Sequence, residues 1–243
     1  MLSNTINSTR RVEIDFVRGI AIILMVLFHL IVDLKDIYAY NLEYLQGFWY
    51  LEGKLSAILF IIICGVSSTL GRSSTYHGIK VLLWGMLLTA VTYFYNGSYY
   101  ILFGILHFLG ISLLSASFMG KRPLLWLFIT SLGTMIIGML FSERFVTNPY
   151  LFPVGLITST FSSLDYYPLF PWYGVFLFGI ILGRMIYTDK KGLGFSQVPY
   201  MQLDILAPVG ALKMIIWLGQ HSLGIYLVHQ PILLTALYIF HSF

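Results

Sequence analysis

The chain has 243 residues, of which 58% are hydrophobic and only 10% charged. A soluble domain carries about 25% charge, so the apolar excess excludes a single water-soluble core and points to segments that face lipid. The formal net charge is +4, but the basic residues sit between apolar runs and not on a face interleaved with aromatics, which excludes a nucleic-acid surface. The single cysteine, Cys64, excludes an internal disulfide and a multi-cysteine metal centre.

Spanning a bilayer takes about 20 apolar residues. Residues 1–14 are polar and then basic, with no small-residue cleavage site, so the first apolar run is predicted to be retained as a membrane helix. Spans are predicted over 16–34, 55–70, 79–95, 100–119, 124–141, 172–187 and 215–240. The last run is long and contains Pro231; its start reads as an interfacial turn, with the membrane helix proper beginning near Gln220. The fold class is therefore all-α, a polytopic transmembrane bundle of about seven spans forming one domain over 1–243.

Orientation follows from Lys and Arg in the short loops. With the N-terminus in the cytoplasm, the inner segments hold Arg10, Arg11, Arg18, Arg72, Lys80, Lys121, Arg122, Arg184, Lys190, Lys191 and Lys213, which is 11 of the 14 basic residues. Seven spans then place the C-terminus outside. Two loops stand out by length: an outer one over 141–171, rich in aromatics, Pro, Ser and Thr, and an inner one over 188–213, rich in Gly and Pro. Loops of that length are often functional.

An ionisable side chain in hydrocarbon is costly and needs a reason. The first span carries Asp15, Arg18, His29 and Asp33. At about 100° per residue, Arg18 and His29 project from nearly one face, about 16 Å apart along the axis. Asp33 follows His29 by four residues, within reach of the imidazole, and Asp15 precedes Arg18 by three. Desolvation keeps such a histidine neutral, and a carboxylate that fixes its tautomer makes it a general base. Arg18 suits a phosphate-bearing cofactor; the alternatives are a snorkelling boundary residue for Arg18 and a polar helix contact for His29. His107 and His229 fall on other spans at a depth comparable to that of His29, which suggests one polar cavity. Pro231 frees a backbone carbonyl beside His229. Gly179 and Gly183 form a small-xxx-small pattern suited to close helix approach, and Arg184 closes that run at its inner end.

The run Arg11-x3-Asp15-x2-Arg18-Gly19-Ile20-Ala21-x3-Met25-Val26-x2-His29 resembles the opening of the bacterial branch of the heparan-α-glucosaminide N-acetyltransferase catalytic-domain family. Further matches follow in order: Cys64-Gly65-Val66-Ser67-Ser68, Phe103-Gly104-Ile105-Leu106-His107-Phe108-Leu109-Gly110, Asp165-Tyr166-Tyr167-Pro168-Leu169-Phe170-Pro171-Trp172 with Gly174, and Ile225-Tyr226-Leu227-x-His229-Gln230-Pro231. The resemblance covers nearly the whole chain and extends to the broader membrane acyltransferases.

What the resemblance implies is transfer of an acetyl group from cytoplasmic acetyl-CoA, as co-substrate and without a metal, to an extracytoplasmic sugar or amino-sugar. Arg18 carries over as the arginine on the CoA side and His29 as the base. Arg11, Arg184, Gly179 and Gly183 carry over as parts of the cofactor pocket. Asp33, His107, His229 and Tyr226 complete the catalytic set, with His107, Tyr226 or His229 as oxyanion donor, and Asp165, Tyr166 and Trp172 lie on the acceptor side. Lysosomal members differ at the positions of His29 and His107 and carry extra helices, so a cell-envelope sugar in a bacterial cytoplasmic membrane is the implied setting, with lipids and a possible homodimer as partners and no nucleic acid. Two other classes use the same polar residues: a haem-binding electron-transfer protein with paired histidine ligands, and a small transporter or flippase, against which the lack of an inverted repeat argues.

Overall fold

The computed structural model describes residues 11–71, 74–142, 144–187 and 210–242. Among them are eight α-helices: α1 (Val12–Asp36), α2 (Gly47–Ser68), α3 (Ser74–Tyr95), α4 (Ile105–Met119), α5 (Leu124–Ser142), α6 (Leu169–Tyr187), α7 (Gly210–Gln220) and α8 (Ser222–Ser242), with one 3-10 helix at Pro149–Val154. Six of these, α1, α2, α3, α5, α6 and α8, are long and apolar enough to cross a membrane. The predicted fold class, a polytopic helical membrane protein, is the one found. The fourth predicted span, 100–119, corresponds to α4, whose 15 residues cover about 22 Å, less than the ~30 Å hydrocarbon core.

Three boundaries differ from the sequence reading, each for a physical reason. Helix α2 starts at Gly47, eight residues before the predicted 55, because Glu52 and Ser56 turn inward and are buried. Helix α4 starts at Ile105 because residues 100–104 pair with the loop that precedes α6: the Leu164 amide donates to the Tyr100 carbonyl (3.3 Å) and the Tyr167 amide to the Phe103 carbonyl (2.9 Å). The last apolar run breaks at His221 into α7 and α8, close to the predicted turn. Most of the predicted inner loop, with Lys190 and Lys191, lies outside the described residues, as do Arg10 and Arg72.

The chain forms two compact units, Met1–Phe60 with Pro199–Phe243, and Ile61–Val198; the division falls inside α2. In the first unit, α1 packs on α7 and α8. The α1–α7 contact is backbone on backbone: a Cβ on Gly219 would stand 2.7 Å from the Asp15 carbonyl carbon and 2.9 Å from the Gly19 nitrogen, and one on Gly19 would stand 2.8 Å from the Ile215 carbonyl carbon. On another side of α1, the Ser56 hydroxyl of α2 donates to the Ala21 carbonyl (3.0 Å). The far end of α8 meets the segment after α1. There His241 stacks on Tyr38 (3.8 Å between ring centroids) and the Tyr40 hydroxyl lies 3.3 Å from His241 Nε2.

In the second unit, α3 pairs with α4 and α5 with α6. Phe108, Leu127, Phe176, Leu177 and Ile180 are fully buried there. The second half of α2 packs against α6 through Gly65 and Gly179, where a Cβ on either would lie 3.0–3.1 Å from the Cα of the other.

Candidate active site

Helix α1 carries the first part of the site. Acidic Glu13 and Asp15 lie in its first turn and Lys35 in its last, as the helix dipole favours. Asp15 is buried, and its Oδ1 accepts from Arg18 Nη1 at 2.8 Å, so the guanidinium is fixed while its side chain keeps 21% exposure. Arg11 is the N-cap residue of the same helix. Eleven residues separate Arg18 from His29, which places both on nearly one face, about 16 Å apart.

Around His29 the first unit assembles four polar side chains from α1 and α8. The rings of His29 and His229 meet edge to face, with centroids 4.7 Å apart and planes at 78°. His29 Nδ1 lies 2.8 Å from the Met25 carbonyl and His229 Nδ1 lies 2.6 Å from the Tyr226 carbonyl. A carbonyl oxygen only accepts, so Nδ1 carries a proton in both rings, and in the neutral form of either ring the lone pair is on Nε2. His229 Nε2 is buried without a hydrogen-bond partner. Gln230 Nε2 donates to Asp33 Oδ1 at 2.7 Å, while Asp33 Oδ2 and Gln230 Oε1 are both buried and unpartnered.

This geometry corrects the expected orientation of His29. The imidazole is held by the Met25 carbonyl, and Asp33 is held by Gln230. Helical side chains lean toward the N-terminus of their helix, which carries the His29 ring toward Met25 and away from Asp33. The expected oxyanion donor is narrowed as well: with Nδ1–H committed to Tyr226, neutral His229 offers a lone pair at Nε2 and no donor. Tyr226 packs its ring 5.5 Å from that of His229.

The remaining expected residues lie in the second unit. His107 is buried at the start of α4; its Nε2 lies 3.2 Å from Thr89 Oγ1, and its ring stacks on Phe103. Its Nδ1 faces α3 at Gly85, where a Cβ would lie 3.2 Å away. Asp165 is an N-terminal cap for α4: its Oδ2 accepts from the Ile105 amide at 2.9 Å, satisfying one of the first orphan donors of that helix. The Tyr166 hydroxyl donates to the Phe152 carbonyl (2.7 Å), and burial pushes its phenol up to about 12. Tyr167 is raised further by burial, with the Asp165 charge adding to it, and its ring packs on Trp172 (5.1 Å). These contacts make Asp165 and Tyr166 part of the frame of this loop.

Arg184, expected at a phosphate, donates through Nη1 to the Arg122 carbonyl. Gly179 and Gly183 were expected to line a cofactor pocket. That face is filled instead by α2, with Gly65 against Gly179, and with Thr69 Oγ1 only 2.6 Å from where a Gly183 Cβ would stand. The small-xxx-small spacing is a packing feature here.

Gln230 was missed as a site residue because a neutral amide carries no charge signal. Its place beside His229 in an apolar span is the feature that could have flagged it. Glu52 was missed too: it is 8% exposed, and both its carboxylate oxygens are buried without a hydrogen-bond partner. The haem alternative fits poorly, since two imidazoles in edge contact at 4.7 Å leave no room for a macrocycle between them. Among the described residues no three His, Cys, Asp or Glu side chains are grouped to hold a metal ion.

A family model described as heparan-alpha-glucosaminide N-acetyltransferase, catalytic, matches residues 10–231. No curated protein and no solved structure matches the chain.

Proposed function

The chain belongs to the heparan-alpha-glucosaminide N-acetyltransferase catalytic family, and on that premise we propose that it transfers an acetyl group from cytoplasmic acetyl-CoA to a sugar or amino-sugar across the membrane, with His29 as general base. The observation that carries this reading is the tautomer imposed at His29. Its Nδ1–H is held by the Met25 carbonyl, so in the neutral ring the basic lone pair is on Nε2, and the ring stands edge to face with that of His229, whose own Nε2 is buried without a partner. The residues around the pair offer acceptors: Asp33 Oδ2, Gln230 Oε1 and His229 Nε2. A group that fits there must bring N–H or O–H donors, as an amine or hydroxyl nucleophile does.

Arg18 fits the donor side. Its guanidinium is held by Asp15 and remains partly exposed, so it can pair with a CoA phosphate. When bound, acetyl-CoA supplies the activated thioester. His29 Nε2 takes the proton from the acceptor amine or hydroxyl as that group attacks the acetyl carbon, and returns it to the leaving thiolate. The Asp33 carboxylate, one turn away, stabilises the imidazolium between the two events. Tyr226 is the oxyanion donor in this scheme. The setting is a bacterial cytoplasmic membrane, with the N-terminus inside and a cell-envelope sugar as acceptor.

The test uses the purified chain in lipid nanodiscs with acetyl-CoA and glucosamine-terminated saccharides, reading saccharide-dependent release of the CoA thiol. His29→Ala is expected to lower kcat by about 10²- to 10⁴-fold while the protein keeps a cooperative thermal transition. A folded variant at the wild-type rate removes His29 from the chemistry. Absence of transfer to any saccharide overturns the whole reading.

A further inference from the structure

We propose that Asp33 and Gln230 together form a hydroxyl-binding subsite for the acceptor, separate from the base and next to it; the inference rests on the transferase reading above. Asp33 comes from α1 and Gln230 from α8, and one hydrogen bond of 2.7 Å joins them. A carboxylate only accepts, so this bond fixes the amide with its nitrogen toward Asp33 and its oxygen turned away. The outcome is a pair of orphans flanking one bond, Asp33 Oδ2 and Gln230 Oε1, both buried. Asp33 itself is only 5% exposed.

Buried acceptors left without donors are rare and call for an explanation. Among the described residues no side chain supplies either oxygen with a donor. His229, the neighbour of Gln230 in sequence, presents a lone pair at Nε2, since its Nδ1–H is committed to Tyr226. A ligand that satisfies the pair therefore presents donors, and two acceptors on groups joined by one hydrogen bond suit adjacent O–H groups on a sugar ring. The same pair explains why Asp33 acts on His29 through its charge and not through a hydrogen bond: its carboxylate is oriented by Gln230. The reacting amine or hydroxyl goes to His29 Nε2, and a neighbouring hydroxyl goes to Asp33 and Gln230.

The experiment compares kcat/KM for a glucosamine-terminated disaccharide with that for its monodeoxy analogues, each lacking one ring hydroxyl. The assays use wild type, Asp33→Asn and Gln230→Ala in nanodiscs. Asp33→Asn keeps an oxygen to accept from Gln230 but replaces the orphaned acceptor by an N–H₂ donor, so it preserves the interhelical bond and reverses the polarity of the subsite. Wild type is expected to discriminate against at least one monodeoxy analogue by about 10- to 100-fold. In both variants that ratio is expected to fall to within about threefold, a collapse that mere loosening of the fold would not produce. Where Gln230→Ala fails to fold, Asp33→Asn alone decides.

Equal use of all analogues by wild type, or a wild-type preference kept in folded Asp33→Asn, overturns the subsite and leaves the transferase reading standing. If no saccharide is acetylated at all, calorimetric binding of the same saccharides decides. Binding with a deoxy preference lost in Asp33→Asn upholds the subsite without the transferase, and no binding overturns both.

Discussion

Replacing Gly219 by Ala tests whether the close seat of α7 on α1 holds the proposed donor site in place. The new Cβ would lie 2.7 Å from the Asp15 carbonyl carbon and 2.9 Å from the Gly19 nitrogen, and closer still to the Asp15 carbonyl oxygen. All three are backbone atoms that cannot rotate away. Relief requires α7 to withdraw by about an ångström or the first turn of α1 to distort. Overpacking of this kind costs about 1–3 kcal/mol, or roughly 2–12 °C in thermal midpoint at about 2–4 °C per kcal/mol for a chain of this size. The strain falls on the turn that carries the 2.8 Å Asp15–Arg18 pair, so the KM for acetyl-CoA should rise several-fold while the KM for the saccharide changes little. Gly224→Ala is the control: its Cβ meets nothing within 4 Å, and it should raise stability by about 0.5–1 kcal/mol through helix propensity. Differential scanning fluorimetry in detergent and initial rates in nanodiscs supply both readouts. A Gly219→Ala protein with the wild-type midpoint and the wild-type KM for acetyl-CoA would refute the argument.

Two further outcomes are expected in the second unit. Asp165→Ala leaves the Ile105 amide without its acceptor and should lower stability by about 1–2 kcal/mol, whereas Asp165→Asn, which keeps an acceptor oxygen, should cost less than half of that; equal losses in the two would exclude a capping role. The tyrosine pair makes the fold alkali-sensitive. Tyr166 is pushed up to about 12 by burial and Tyr167 is raised by burial beside Asp165, while unfolded phenols ionise near 10. The folded state thus binds more protons above that point, so the stabilisation is full below about pH 10 and falls as pH rises through the folded values. A thermal midpoint that declines from about pH 10 in wild type, and declines less in Tyr166→Phe, is the expected pattern; identical pH profiles would rule the assignment out.

The helices were legible because their signal is bulk hydrophobicity over some twenty residues, and that signal survives a few misplaced polar groups. The start of α2 was not legible, since Glu52, Gly53 and Lys54 read as a loop, and only packing against Phe28 and Ala21 of α1 turns them into helix. The start of α4 was hidden for the complementary reason: Tyr100 to Gly104 are apolar enough to be helical, but a loop more than sixty positions later claims backbone groups of Tyr100, Leu102 and Phe103. Within the site, the four-residue spacing correctly put Asp33 one turn from His29. Spacing says nothing about which carbonyl or amide competes for each group, and Met25 and Gln230 prevailed. The glycines of α6 gave a sound helix-packing signal that the family resemblance had also assigned to cofactor binding, and the close approach of α2 decides in favour of packing.

The bond between Asp33 and Gln230 joins residues 197 positions apart, and this has a consequence for biogenesis. While the ribosome is still translating the intervening helices, α1 has already been delivered to the bilayer with a carboxylate whose amide partner does not yet exist. An unsatisfied carboxylate in lipid is costly, so the nascent first helix must be kept in a polar or proteinaceous shelter until the closing helix arrives. Stalling translation just before residue 222 should therefore trap α1 at the insertion machinery, detectable by site-specific crosslinking, and release of the final segment should free it.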